Sequence, residues 1–330
     1  MTISYKWLSE YLPVEVTAER LSQILTSIGL EVEAMETYEE YKGGLKGLVI
    51  GKVVTCEQHP NADKLRLTTV DTGGLEPLKI VCGAPNVAAG QTVVVAPIGT
   101  TIYPAAHEPV TMKLAKIRGE ESEGMICAED EIGLGESHAG IMVLPTDVKP
   151  GTPAADYFGT YNDVIFEIGL TPNRMDAMSH WGVARDVCAY LSHHDKKELK
   201  PKLPSTNNLK IEKGTTPVTV TVENNTACPR YSGICINNIT IDESPKWLQH
   251  KLKSIGLRPI NNIVDITNFI QHETGQPLHA FDADQIKGNT VIVKNLPEGT
   301  TFVTLDEKER KLSAEDLMIC DAEGGMCIAG

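Results

Sequence analysis

The sequence predicts an α+β protein of several domains: a small β-barrel inserted in a small α/β domain, followed by a mixed α+β domain. Between about residues 47 and 145, short strand-like runs alternate with turn residues. Capped helical patterns lie on both sides of that region. A polar stretch at 193–213, bearing Pro201, Pro204 and Asn207-Asn208, separates this half from a second in which strands and helices mix. At 330 residues the chain also exceeds a single core of ordinary size.

The elements follow in order. Thr17 caps a helix through Ala18-Glu19-Arg20-Leu21; Leu21, Ile24, Leu25 and Ile28 share one face and Gly29 closes it. Gly43-Gly44 breaks the chain. Leu48–Cys56 is the first strand-like run, and Leu65–Val70, before Asp71-Thr72-Gly73-Gly74, is the second. Leu78–Cys82 ends at Gly83-Ala84-Pro85-Asn86, Thr92–Ala96 at Pro97, and Met112–Ile117 at Arg118-Gly119. That many short strands in about 100 residues suits a small closed barrel, most economically an OB-fold. Helical signals return at 171–192, where Thr171-Pro172 supplies a capping hydroxyl before a first-turn proline and Ser179 starts a helix over His180–Leu191.

Residues 1–40 and 152–195 are therefore expected to form one discontinuous α/β domain, with the barrel (41–151) inserted in it and a linker at 196–213. Beyond the linker, Val218–Val222, Tyr231–Ile241, Val291–Lys294 and Leu317–Cys320 read as strands. Pro245–Ile255 and Ile260–His272 read as helices ending at Gly256 and Gly275. This mixed α+β domain, 214–330, is expected to be incomplete at its C-terminus, because Ile328-Ala329-Gly330 is an apolar run with no closing element.

Composition narrows the function classes. Hydrophobic content of 41% and charged content of 22% belong to a soluble globular protein. The N-terminus has no signal-peptide pattern, and no run approaches the roughly 20 apolar residues that cross a bilayer. The eight cysteines show no CxxC pair, which reads as reduced thiols in the cytoplasm. A net charge of −14 argues against coating nucleic acid by charge alone, so DNA binding is not expected, while a specific RNA partner needs only local Lys and Arg. Gly43-Gly44 and Gly47 lack the Gly-Lys-Ser/Thr of a phosphate loop, and His193-His194-Asp195 reads as solvated surface; no metal site is expected.

The chemistry concentrates in two places. The first is His59-Pro60-Asn61-Ala62-Asp63-Lys64-Leu65-Arg66-Leu67, followed by Lys79–Val87, Lys116–Cys127 and Glu131-Ile132-Gly133-Leu134. Lys64 and Arg66 alternate with Leu65 and Leu67, so one face packs while the other presents charge. Lys113, Lys116 and Arg118 add charge, and Asn86 and Ser122 are able to donate to phosphate or 2′-hydroxyl groups. His59 and Asp63 read as the holders of a strand corner. With no interleaved aromatics, binding should read RNA backbone and shape. The second place is Leu257–Phe269, continuing to Gly275-Gln276-Pro277-Leu278-His279-Ala280-Phe281-Asp282. Its helix would be held rigid by Ile260, Ile263, Val264 and Phe269, and no Ser–His or Cys–His pairing is evident.

The first set of segments resembles the tRNA-binding OB domain of several synthetases and free-standing tRNA-binding proteins. The second resembles the B3/B4 editing domain of the bacterial phenylalanyl-tRNA synthetase β chain, as do Leu170–Asp176, Gly182–Asp186 and Thr304–Leu312. The resemblance implies the N-terminal part of the β chain of an α2β2 enzyme that joins phenylalanine to tRNA(Phe) with ATP and Mg²⁺, the adenylation site lying in the α chain. It implies tRNA binding by Lys64, Arg66, Asn86, Lys116, Arg118 and Ser122. It also implies hydrolysis of Tyr-tRNA(Phe) in a pocket lined by Thr267, Asn268, His279 and Gly330. An acidic residue that reads the tyrosine hydroxyl would lie past Gly330, and Glu273 does not occupy its position. The rival expectation is a non-catalytic tRNA-binding or assembly module, which needs no such pocket.

Overall fold

The computed structural model describes residues 1–104, 107–145, 148–210, 214 and 216–329. The chain divides into two compact units, residues 1–200 with 253–257, and residues 201–252 with 258–330.

The first unit opens with strand β1 (Thr2–Ser4) and helices α1 (Tyr5–Ser9) and α2 (Ala18–Ser27), then strand β2 (Glu31–Glu39). Thr17 accepts from the Arg20 N–H as the cap of α2, whose Leu21, Ile24 and Leu25 are buried. The chain then leaves this sheet for β3 (Val49–Gln58), β4 (Arg66–Asp71), β5 (Leu78–Cys82), β6 (Thr92–Pro97), β7 (Thr101–Ile102), β8 (Val110–Thr111), β9 (Ala115–Ile117), β10 (Glu120–Ser122), β11 (Gly124–Ile126) and β12 (Val143–Leu144). It returns through α3 (Ala154–Phe158) and β13 (Asn162–Gly169) and ends the unit with α4 (His180–Asp195). β13 lies antiparallel between β1 and β2, with Ile3 and Met35 both opposite Phe166. Residues more than 120 apart thus share one three-stranded sheet.

β3 is long enough to serve two neighbours. Its first half pairs with β6, its second with β4, and a bulge between Val53 and Thr55 lets it curl. The sheet runs β11-β6-β3-β4-β5 and is nearly closed. Gly124 permits β11 to approach β6: a Cβ there would lie 2.5 Å from the Ala96 carbonyl oxygen. Two apolar clusters fill the barrel region, one around Ile50, Val94 and Ile102, the other around Val53, Val70, Ile80 and Val93.

The second unit contains β14 (Thr219–Val222), helices α5 (Lys246–Ser254, which runs across the unit boundary) and α6 (Asn262–Thr274), then β15 (Thr290–Asn295), β16 (Thr301–Val303), β17 (Glu309–Lys311), β18 (Leu317–Cys320) and β19 (Gly325–Ile328). The main sheet has the order β14-β15-β18-β19, and β16–β17 form a separate hairpin. Small apolar clusters around Val291 with Ile319, and Leu312 with Met318 and Cys320, hold it together.

The α+β class with a barrel-like sheet stands as expected, and two local expectations do not. Tyr231–Ile241 is not a strand: its Ile234, Ile236 and Ile241 are more than 60% exposed and, among the described residues, no ladder forms on it. Period-two alternation marks strand potential, but a strand exists only where a neighbouring backbone pairs with it. Thr171-Pro172 starts no helix either. The chain turns there, makes one 3₁₀ turn at Met175–Ala177, and enters α4 only after Ser179, whose hydroxyl accepts from Gly182 N–H at 3.0 Å.

Candidate nucleic-acid and hydrolytic sites

The corner between β3 and β4 is built by side chains. Gln58 donates its amide to the carbonyls of Ala62, Asp63 and Leu65 at 3.0–3.2 Å and accepts from the Arg66 guanidinium. His59 is buried, and its Nδ1 accepts from the Asn61 N–H at 3.0 Å. That bond leaves the ring proton on Nε2, which points at the Ile117 carbonyl, 3.4 Å away at the end of β9. His59 thereby ties the corner that carries Lys64 and Arg66 to the hairpin that carries Lys116 and Arg118. All four basic side chains are exposed. The hairpin turns on Arg118 (φ 53°) and Gly119 (φ 103°), the pair of positive φ values that suits a two-residue loop.

Two residues expected to donate to RNA make hydrogen bonds within the fold. Ser122 is 2% exposed; its Oγ accepts from the Val81 N–H at 3.1 Å and donates to the Gly124 carbonyl at 3.0 Å. Next to it, Glu123 accepts from the Lys79 N–H through its carboxylate and donates its own N–H to the Lys79 carbonyl, both at 2.8 Å. Together they close the barrel against the free edge of β5, where a backbone ladder is absent. Asn86 mimics a peptide: its amide donates to the Ile141 carbonyl and accepts from the Ile141 N–H, both at 2.9 Å. One of its two amide N–H groups is thereby committed to the fold, while the side chain stays exposed. Beside these residues is a cleft of about 460 Å³ lined in part by Val81, Ile117, Met125 and Glu131. The Glu131 carboxylate there accepts from the Ala128 N–H at 2.7 Å.

In the second unit, α6 is fixed by polar anchors more than by the apolar residues singled out in the sequence. Asn261 caps it, its side chain accepting from Ile263 and Val264 N–H. Asp265 is fully buried and accepts from the Ser244 hydroxyl at 2.5 Å and the Ile260 N–H at 2.9 Å. Ile260 itself is 68% exposed, so it does not brace the helix. Phe269 does: its ring meets Trp247 of α5 edge-on at 5.5 Å, and Lys251 lies over both rings. The helix ends at Gly275 in the left-handed conformation, φ 81°. Asp265 was legible only in hindsight, as a charged residue two positions before Thr267 with no visible partner.

Thr267 and Asn268 are half-buried on this anchored helix, and Thr267 Oγ1 donates to the Val264 carbonyl at 2.7 Å. His279 lies on the loop that follows, exposed, with its ring near that of Phe281. Its Nδ1 is 3.4 Å from Cys327 Sγ on β19. A Cys–His approach thus exists where the sequence showed none, because 48 residues separate the two. Burial pushes the Cys327 thiol above its ordinary pKa, opposite to the shift that activates a nucleophilic cysteine. Gly330 lies outside the described residues. Among the described residues no group of three or more His, Cys, Asp or Glu is arranged to hold a metal ion, and no helix is long and apolar enough to cross a membrane.

Comparison with known proteins adds two matches by region. The family profile described as "Putative tRNA binding domain" matches residues 48–153, and that described as "B3/4 domain" matches 227–330. Over all 330 residues the chain is 58% identical to the phenylalanine–tRNA ligase beta subunit of Bacteroides thetaiotaomicron. The protein of the same name is 57% identical in Porphyromonas gingivalis and 44% identical in Bacillus subtilis. Each alignment covers 100% of this chain and 40% of the relative, so the chain spans well under half the length of the curated relatives it matches.

Proposed function

The chain belongs to the phenylalanine–tRNA ligase β-subunit family, and from that membership we propose that it binds tRNA(Phe) and contributes to hydrolytic editing of Tyr-tRNA(Phe). The working protein is then a cytoplasmic α2β2 assembly in which the α chain binds ATP and Mg²⁺ and makes the adenylate. No step of that chemistry falls to residues of this chain. The barrel (41–151) acts as an insertion in the discontinuous 1–40 and 152–195 domain, joined by the 196–213 linker to the editing region, 214–330.

The observation that carries the editing reading is α6, anchored by buried Asp265, presenting Thr267 and Asn268, with the His279 loop pinned to β19. Editing also answers a physical need. An apolar pocket made for phenylalanine rejects an isostere with one added hydroxyl by only about 10²-fold. A second pocket then attacks the ester: water adds to the carbonyl carbon, the bond to the ribose oxygen breaks, and that oxygen takes the proton. Thr267, Asn268 and His279 would orient the ester and the water, with no covalent intermediate.

The test is release of tyrosine from Tyr-tRNA(Phe), comparing this chain with the same sequence carried in a protein of the relatives' full length. Hydrolysis by the longer protein is the expected result. If neither form hydrolyses the ester while both bind tRNA, the non-catalytic binding module replaces this reading.

For the barrel, Lys64, Arg66, Lys116 and Arg118 are the proposed phosphate contacts. Replacing Lys64, Arg66 and Arg118 together with alanine is expected to weaken tRNA binding about 10–100-fold at roughly 0.1 M salt, and to flatten the salt dependence by about two to three ions. Asn86→Ala and Ser122→Ala should instead lower barrel stability and leave the salt slope alone. A wild-type slope in the triple variant would remove the barrel from the tRNA interface.

A further inference from the structure

The approach of His279 to Cys327 has a consequence for how the histidine works. Cys327 lies in β19, opposite Ile319 of β18, in a sheet whose Met318, Ile319 and Cys320 are buried. Its position is therefore set by the sheet, while His279 is set by a loop. The thiol has two acceptors in reach, His279 Nδ1 at 3.4 Å and the Ile328 carbonyl at 3.3 Å, and a single proton to give. Burial keeps that proton on sulfur at neutral pH. Tyr231 is the other titratable group facing the thiol; its hydroxyl is raised by burial first and then by Cys327 and Cys228, so it stays neutral too. Of the two acceptors the imidazole nitrogen is the more basic, and on that ground the S–H is given to Nδ1; the reverse arrangement has Nδ1–H donating to sulfur and the S–H to the Ile328 carbonyl. The hydrogen bond made by one ring nitrogen decides which nitrogen holds the ring proton.

We propose that Cys327 is a positioning residue for hydrolysis of the mischarged ester: its S–H donates to His279 Nδ1 and holds the ring as the Nε2–H tautomer, free to donate to an ester oxygen. This rests on the hydrolytic reading above. The thiol needs no reactivity for the role. It joins a loop histidine to a rigid strand. Loss of the bond therefore leaves a misoriented ring.

The experiment uses the full-length β subunit assembled with its α partner and follows the kcat and KM of tyrosine release from Tyr-tRNA(Phe). Cys327→Ala is expected to lower kcat about tenfold with KM unchanged, the cost of a misplaced donor. Cys327→Ser, which keeps a donor, should stay within about threefold of wild type. Thermal unfolding of both variants reports on folding. A Cys327→Ala protein with wild-type kcat overturns the proposal, as does a serine variant that loses as much as alanine. His279→Ala separates the two levels. If it releases tyrosine at the wild-type rate, the hydrolytic reading falls and takes the proposal with it; if it is inactive while Cys327→Ala is unaffected, only the role of Cys327 falls.

Discussion

Replacing Asp163 with alanine is expected to destabilise the first unit by about 4 kcal/mol, the sum of several unpaired donors less what water recovers. Asp163 is 4% exposed at the start of β13 and accepts four hydrogen bonds. They come from Ser4 Oγ (2.5 Å), Lys6 N–H (3.0 Å), Tyr161 Oη (2.8 Å) and its neighbour Val164 N–H (2.7 Å). Ser4 in turn caps α1 by accepting from Trp7 N–H, and its own N–H donates to His180 Nε2 at 3.0 Å. His180 stacks on the buried Trp7 ring at 4.0 Å. One carboxylate thus joins β1, α1 and β13 and braces the cap that orients Trp7. Burial first, and the Asp163 charge second, raise the Tyr161 hydroxyl above its ordinary pKa, so it remains a donor across the physiological range. Asp163→Asn should cost nearly as much, because its NH₂ would face donors. The loss corresponds to roughly 10 °C in the unfolding midpoint of a unit this size. A change under about 1 kcal/mol would show that the donors find other partners.

Much of this architecture is legible in the sequence where the signal is local. Thr17 and Ser179 announce the starts of α2 and α4, and Gly275 the end of α6, because a cap is made by residues three or four apart. The barrel strands are legible from their turns. What escapes is everything settled by residues distant in the chain. Asn86 reads as a free polar side chain until Ile141, 55 positions on, takes its amide. Ser122 reads as a donor for RNA until β5 arrives to claim it. The same reason hides Cys327 from His279 and defeats the strand expectation at Tyr231–Ile241, whose alternation is real but which pairs with no strand among the described residues. The basic residues Lys64, Arg66, Lys116 and Arg118 are exposed, as their sequence setting suggests. Charge on a surface is read directly; polar groups in an interior are read only with the fold in hand.

The other large effect is expected at α6, and the chemistry of Thr267 decides its form. The Thr267 hydroxyl gives its proton to the Val264 carbonyl at 2.7 Å, which leaves only acceptor lone pairs for a ligand. On the proposed hydrolytic reading Thr267 then serves by accepting, from a water or a ribose hydroxyl, and does not donate to the ester. In the full-length protein Thr267→Val removes that acceptor while keeping the shape, and should slow tyrosine release about tenfold; Thr267→Ser should remain near wild type. On the proposed hydrolytic reading, His279→Ala removes a donor to the ester and is expected to cost about 10²-fold. Combining Thr267→Val with His279→Ala should cost less than the product of the two, because both orient the same ester and water. Independent, multiplying effects would instead mean that the two side chains serve separate sites. Equal losses from Thr267→Ser and Thr267→Val would mean that Thr267 acts through packing of α6, leaving the pocket to Asn268 and His279.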